Sequence, residues 1–448
     1  MEGRKSSAFD ERPLTDKATY ISRYEFAQLL GDDAADTYAI FASSGSSGKS
    51  MYWPQLKAGS RDTSARLKQF LEDGFRIHQQ KTLAVVGLAL GSWVGGEHFS
   101  WALKSVALES PYPFSVFSPG SRHEEIVRAI CAADPFMDQF IVVVCPSAIG
   151  HLHLLAKTIG ANLPLKKMRY LVVGEPMTEG MRDALQREAA VPQTDGFLYS
   201  MYGSADTGQL GVESIASVAL RKIVTQSQSL RDFLQLDETV PHFFHATAED
   251  AYLETAGNEL CVTRWQGIPL MRYNLHDDVR LYDWRLLREV ALQRGANDPD
   301  PMLLAILRNC PEDLPNILAV TGRADRALIL CGTNLTESMF DEAIRSPRLA
   351  HALTGLYRAR TITTDGRQRL ELRLETKPEL KATVESLDDI YRLMVEELGR
   401  VQPEFADDCQ NVYRRWDDDR ENRILKIDLL PWPALANDPA IKHRGVEK

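Results

Sequence analysis

The sequence has no pair of cysteines spaced for a metal or a disulfide framework. Its six, Cys131, Cys145, Cys261, Cys310, Cys331 and Cys409, are scattered with no CxxC among them. A zinc ribbon or a disulfide-stapled secreted scaffold is therefore excluded as the organising device, and a reducing, cytoplasmic compartment is expected. Long hydrophobic runs are also missing. Nothing approaches the ~18 apolar residues of a membrane span, and the opening "MEGRKSSAFDERP" has no apolar signal-peptide segment, so no membrane partner is expected. Positive charge is in deficit, with a net charge of −10 and a pI near 5.6. That balance argues against broad nucleic-acid binding, and any anionic ligand would need a local cationic site. Internal repeats and low-complexity tracts are absent as well.

What is there is a soluble globular composition, 44% hydrophobic and 25% charged, over 448 residues. That length is too great for one ordinary core and suggests two domains. From residue 60 the chain alternates helical and strand-like patterns. "SARLKQFLEDGFRIHQQ", "RHEEIVRAICAADPF", "IGHLHLLAKTIGA" and "TEGMRDALQREAA" have helical spacing. "TLAVVGLAL", "FSVFSP", "FIVVVCPS", "MRYLVVGEP" and "GFLYSMYGS" read as strands. This predicts an α/β domain with mainly parallel sheet, whose chemistry gathers in the loops after the strands. Beyond about residue 240 the reading is β-rich. Residues 285 to 316 read as a helix followed by a Pro/Asp-rich surface insertion or linker-flanked element. A final α+β segment follows, with "RLELRLET", "VESLDDIYRLMVEELGRV" and "NRILKIDLL".

One stretch asks a chemical question. "FASSGSSGKSMYWP", from Phe41 to Pro54, is one residue short of a Walker phosphate loop, with Ser43 where the first glycine belongs. A Walker loop feeds directly into a helix, yet Met51-Tyr52-Trp53-Pro54 favours extended backbone. The stretch reads either as a Ser/Gly phosphate cradle between two strands or as a flexible linker. The "HLH" at His151 to His153 puts its two rings on different faces of a helix and reads as structural.

Four motifs stand in one order: the Ser/Gly loop, "MYGSADTG" at 201 to 208, "MRYNLHDD" at 271 to 278 and "GRADRALILCGTN" at 322 to 334. With "VVGEPMTEGMR" and "GNELCVT" between them, the chain resembles the adenylate-forming superfamily, and most of all its phenylacetate-CoA ligase-like branch. The resemblance implies a large adenylation domain, residues 1–322, and a small mobile C-terminal lid, residues 323–448. It implies ATP, Mg2+ and a carboxylic acid, activated as an acyl-adenylate and passed to CoA as probable acceptor. Acyl transfer to an amine, a carrier thiol or another small nucleophile is the alternative, and a nucleotide-binding regulator without turnover is a third. A homodimer is left open.

Residue by residue, the resemblance implies that Ser43, Ser44, Gly45, Ser46, Ser47, Gly48 and Lys49 hold the β- and γ-phosphates. Tyr202, with Gly203 and Ser204, would pack on adenine. Asp206 stands where the family has a glutamate and would bind Mg2+. Asp277, preceded by Arg272 and Tyr273, would clamp the ribose, with Arg323 reaching the same sugar and Asp325 at the hinge. His276, at a position variable in the family, is not expected to touch ligand. Gly174 and Glu175 would lie along adenine, and Trp93, Gly95 and Gly96 along the acid pocket. Gly332 and Asn334 match a loop that in relatives faces the site in the second step. For the catalytic lysine, Lys442 is preferred over Lys426, whose side chain should point to solvent opposite Leu425 and Ile427. The chain departs from the family in its short lead before the loop and in lacking a glycine-lysine phrase near the C-terminus.

Overall fold

Backbone that cannot start a helix after the Ser/Gly loop forms a strand instead. In the computed structural model, β1 (Thr37–Ser43) and β2 (Met51–Leu56) make an antiparallel ribbon with Ser43 opposite Met51 and Phe41 opposite Trp53. Pro54 is tolerated because this ribbon has only two strands. Its ring lies against Gly267, where a Cβ would come within 2.6 Å and φ is +77°, so only glycine suits that position. The structure describes residues 12–30, 35–43, 51–236, 240–247, 250–294, 300–323, 327–364, 367–378, 384–414, 416–417 and 419–435.

The apolar runs become β3 (Thr82–Val86), β4 (Phe114–Phe117), β5 (Gln139–Val144), β6 (Met168–Val172) and β7 (Leu198–Ser204), all mutually parallel. The β-rich part adds β8 (Gly208–Val212), β9 (His242–Ala246), β10 (Ala251–Ala256), β11 (Glu259–Gln266), β12 (Ile268–Tyr282) and β13 (Ile317–Arg323). The described strands join in one mixed sheet ordered β10-β11-β12-β13-β9-β8-β7-β6-β5-β3-β4.

The parallel half is covered on both faces, which is why its strands read as continuous apolar runs. Val85, Val142 and Val144 pack with Ile126, Ile130 and Ile149 of the helices His123–Ala133 and Pro146–Thr158. The alternate residues Ala84, Val86, Ile141 and Val143 pack with Leu67, Leu71 and Leu103 of the helices Lys57–Phe75 and Val94–Glu109. Each such buried aliphatic side chain contributes about 1.5–3 kcal/mol.

The helix expected at the start of residues 285–316 is present, but among the described residues the stretch after it is a packed element and no surface insertion. The helices Trp284–Arg294 and Pro301–Asn309 bury Trp284, Leu287, Leu303 and Leu307 against the helix Ile215–Gln226. Asp300 caps the second helix through Met302 N, so the Pro/Asp-rich phrase reads as a helix start.

Beyond β13 a further hydrophobic cluster draws all its members from Leu328 to Ile427. It is built on β16 (Leu353–Thr364), β17 (Arg367–Thr376) and β18 (Leu425–Pro431), after a short ribbon of β14 (Leu328–Leu330) and β15 (Thr333–Leu335). The helices Glu337–Ile344 and Val384–Val401 cover it with Phe340, Met394 and Leu398. Among the described residues no helix is long and apolar enough to cross a membrane.

Candidate active site

The site grows from the end of β7, a kink within β12 and the end of β13. Tyr202 and Gly203 lie at the end of β7, and Gly203 is required because a Cβ there would sit 2.3 Å from the Gly208 carbonyl oxygen. Ser204 Oγ lies 2.9 Å from Thr207 Oγ1 and accepts from Thr207 N at 3.1 Å. That closes the β7–β8 turn and sets Asp206 at its tip. β12 is irregular: Arg272 (φ 46°) and His276 (φ 57°) adopt left-handed backbone, and Tyr273, Asn274 and Leu275 are buried in succession. Past this kink Asp277 faces Arg323 of β13.

These residues converge. Tyr202 Oη donates to Asp277 Oδ2 at 2.6 Å, and Arg323 Nη1 lies 3.8 Å from Asp277 Oδ1. The Tyr202 ring stacks on Phe244 with centroids 5.5 Å apart. Burial and the neighbouring Asp277 carboxylate push the Tyr202 phenol well above its ordinary pKa, so it remains a donor. A carboxylate carrying a fixed donor beside a guanidinium, at the mouth of a sheet, can accept hydrogen bonds from a vicinal diol.

Asp206 takes different partners. Tyr273 Oη donates to its Oδ2 at 2.5 Å, and Lys17 Nζ stands 3.2 Å from its Oδ1. Lys17 also lies over the Trp53 ring, 5.8 Å from the centroid, and Trp53 Nε1 donates to Ser43 Oγ at 2.8 Å. This arrangement does not fit the magnesium-ligand role expected of Asp206. A divalent ion at Oδ1 would have to expel the ammonium, whereas the present pair is already neutral. Sequence reading did not single out Lys17 or Arg264. The Arg264 guanidinium donates to the Thr207 carbonyl and to both oxygens of Asp250, bracing the turn. Beside it, burial, and secondarily the Arg264 charge, hold His98 down at about 4.

The loop that carries Trp93 is attached to the β1–β2 ribbon, since Ala42 N donates to Ser92 O at 2.6 Å and Ala42 pairs with Trp93. Gly96 needs its missing side chain, because a Cβ would lie 1.9 Å from the Ala89 carbonyl oxygen. Gly95 meets open space. Trp93 is half-buried at the helix start.

Gly174 and Glu175, after β6, make contacts with the C-terminal part. Glu175 accepts from Ser147 N at 3.0 Å and Ser147 Oγ at 2.9 Å and from the Gly332 backbone. Ser147 Oγ also reaches Cys331 Sγ at 3.2 Å. Burial raises the Glu175 carboxyl to about 7, partly offset by those bonds. His151 lies on the same seam, 2% exposed, beside Tyr413 and Trp416. Burial, with smaller effects of His123 and Arg367, holds it down at about 3. His153 turns the other way, to Tyr170 Oη at 2.8 Å. His276 bridges Glu259 at 2.9 Å and Asp16 at 3.3 Å. The "EPMTEGMR" phrase holds a buried ion network, with Arg182 bridging Glu179 and Glu213.

Lys426 points away from the core between buried Leu425 and Ile427, paired with Glu371 at 2.8 Å. Ser44, Gly45, Ser46, Ser47, Gly48 and Lys49 of the loop, Asp325 of the hinge, and Lys442 lie outside the described residues.

With this geometry in hand, comparison with known proteins shows that the chain has the fold of the adenylate-forming enzymes. A 2-hydroxyisobutyryl-CoA ligase, solved with 2-HIB-AMP and CoA in the thioesterification state, matches with a TM-score of 0.62 at 14% identity, over 97% of this chain and 79% of that one. A malonyl-CoA ligase in a ternary product complex with methylmalonyl-CoA and AMP gives 0.46 at 11% identity, over 89% and 72%. An acyl acid amido synthetase in complex with 2,4-DB gives 0.45 at 11%, over 98% and 86%. No protein-family model and no curated protein matches the chain.

Proposed function

We propose that this chain is an AMP-forming adenylating enzyme that activates a carboxylic acid with ATP and passes the acyl group to a nucleophile, CoA first among them. The observation that carries the reading is the meeting of Tyr202, Asp277 and Arg323, in a chain whose fold matches a ligase holding an acyl-adenylate and CoA. In this reading Asp277 accepts the ribose hydroxyls, Arg323 balances its charge, and the Tyr202 ring lies along the base. The loop from Ser43 to Ser50 would hold the phosphates, and Trp93, Gly95 and Gly96 would border the acid. Gly174 would lie near adenine, with Glu175 holding the seam beside it. Bringing an anionic acid to an anionic phosphate needs fixed positive charge and alignment. Lys442, Lys49 and Arg323 are the cations assigned to that work. Magnesium accompanies ATP in solution, but no step is derived through a protein-bound metal. We assign residues 1–322 to the adenylating domain and 323–448 to a movable lid, supported by the separate core from Leu328 to Ile427.

The test is exchange of labelled pyrophosphate into ATP across a panel of aromatic and aliphatic acids, followed by product analysis with CoA, amines and carrier thiols. Acid-dependent exchange is expected, with a thioester as the product in the presence of CoA. If ATP binds but no acid supports exchange, the chain is a nucleotide-binding regulator and the enzymatic reading falls.

A further inference from the structure

Among the described residues the sequence motifs leave Lys17 and Arg264 at the site unaccounted for, and of these Arg264 is taken up by Thr207 and Asp250. Lys17 belongs to a segment that carries none of the motifs, yet it is held at their junction. Thr15 N donates to Arg272 O and Asn274 N to Thr15 O, so the segment is tied to β12 by a single parallel bridge, with Thr15 paired to Tyr273. Asp16 Oδ1 accepts from Thr19 N and Thr19 Oγ1 at 2.6 and 2.7 Å. Ile21 is buried in the same cluster as Trp53 and Tyr273. These ties fix the Lys17 backbone before any ligand arrives.

The side chain then reaches between two elements. Its ammonium is 3.2 Å from Asp206 at the β7–β8 turn and over Trp53, which is bonded to Ser43 at the root of the Ser/Gly loop. The Lys17 side chain is 26% exposed and that of Asp206 10%, so the cation keeps access to solvent while its partner is almost closed in. An ammonium on a four-carbon stem can pivot from a carboxylate to an arriving anion at little structural cost. On a chain of net charge −10, a lysine that turns from its carboxylate to an arriving polyphosphate offsets part of the repulsion the ligand meets.

We propose that Lys17 is a polyphosphate-binding residue of the nucleotide site, and that Asp206 positions it and stands in for no metal ligand. This rests on the adenylating reading above. Asp206, with Tyr273 on its other oxygen, aims the lysine at the gap between the loop root and the turn.

The experiment measures binding of ATP, pyrophosphate and adenosine to the full chain by calorimetry at low ionic strength, for the natural protein and for Lys17→Met and Lys17→Arg. Loss of one charge-assisted contact should weaken ATP and pyrophosphate about tenfold or more in Lys17→Met, leave adenosine within about twofold, and be largely restored in Lys17→Arg. The salt dependence of ATP binding should flatten in Lys17→Met. Equal weakening of ATP and adenosine would make Lys17 a structural strut, tighter ATP binding would make it a plug, and no change would leave it outside the site. Each of these overturns the proposal. Where Lys17→Met fails to fold, Lys17→Gln is read with the same three probes. If the natural protein binds neither ATP nor adenosine, the adenylating reading itself fails, which is separate from a natural protein that binds both while Lys17 variants bind them equally well.

Discussion

Asp277 already has partners at 2.6 Å and 3.8 Å, Tyr202 and Arg323, so its carboxylate is oriented before a nucleotide could reach it. Tyr202 is in turn immobilised by stacking on Phe244, itself buried. Preorganisation of this kind lets an ionised acceptor contribute ~1.5–3 kcal/mol for each hydroxyl it binds. Asp277→Asn keeps the shape and loses the charge, so ATP and AMP affinity should each fall at least about tenfold, roughly 1.4 kcal/mol, while the thermal midpoint moves little. Unchanged affinity in a folded variant would put the ribose elsewhere. Tyr202, Asp277 and Arg323 could be read from the sequence because each sits inside a short motif. Lys17 could not, because its partner Asp206 is far along the chain and nothing local marks it. The Asp16–Thr19 turn that fixes its backbone is visible only as an unremarked Asp-x-x-Thr. Arg264 escaped for the same reason, since its bond to Thr207 joins positions 57 residues apart in the chain.

Elements were more legible than their partners. The five parallel strands and their helices could be read because burial on both faces writes continuous apolar runs, and the β1–β2 ribbon because Trp53-Pro54 forbids a helix. Of the two helices after β12 the first is legible, while the second is not, because Leu303, Leu304 and Leu307 are framed by Pro, Asp and Gly, and their packing against Ile215–Gln226 is a long-range fact. The turn after β6 carries a pH consequence that follows from packing alone. Glu175 titrates near 7 in the folded chain against 4.5 for an ordinary glutamate, chiefly through burial. A carboxyl with a raised folded pKa binds its proton more tightly when folded. Its favourable contribution is therefore complete below about pH 4.5 and drains as pH rises through 7, by roughly 2–3 kcal/mol. Glu175→Gln removes that drain. Between pH 5 and pH 8 the thermal midpoint of the natural protein should fall by a few degrees more than that of Glu175→Gln. His151 and His123 on the same seam titrate in both proteins and cancel in the difference, whereas Asp408, which burial chiefly and Glu175 in small part hold up, relaxes slightly in Glu175→Gln. Parallel curves would mean that Glu175 ionises without penalty.

At the scale of the whole molecule, the C-terminal part meets the large sheet through the Cys331–Gly332 turn, and that contact tolerates no side chain. Gly332 has φ +89°, and a Cβ there would sit 2.7 Å from Cys145 Sγ; Gly174 opposes it with φ +83° and a would-be Cβ 3.5 Å from Gly332 Cα. Two glycines with left-handed backbone facing each other let the two parts approach closely. Gly332→Val therefore meets both a contact clash and backbone strain of order 1–3 kcal/mol, neither of which falls within the cluster from Leu328 to Ile427. The seam should open while both cores stay folded, seen as a larger radius of gyration by small-angle scattering with circular dichroism unchanged. If this seam belongs to the acyl-transfer stage, thioester formation should drop at least about tenfold. On that assignment pyrophosphate exchange should stay within about threefold, so that the loss falls on one half-reaction. Equal loss of both half-reactions would assign Gly332 to the first step as well. An unchanged radius of gyration with both activities intact would mean that the Cys331–Gly332 contact has no part in turnover.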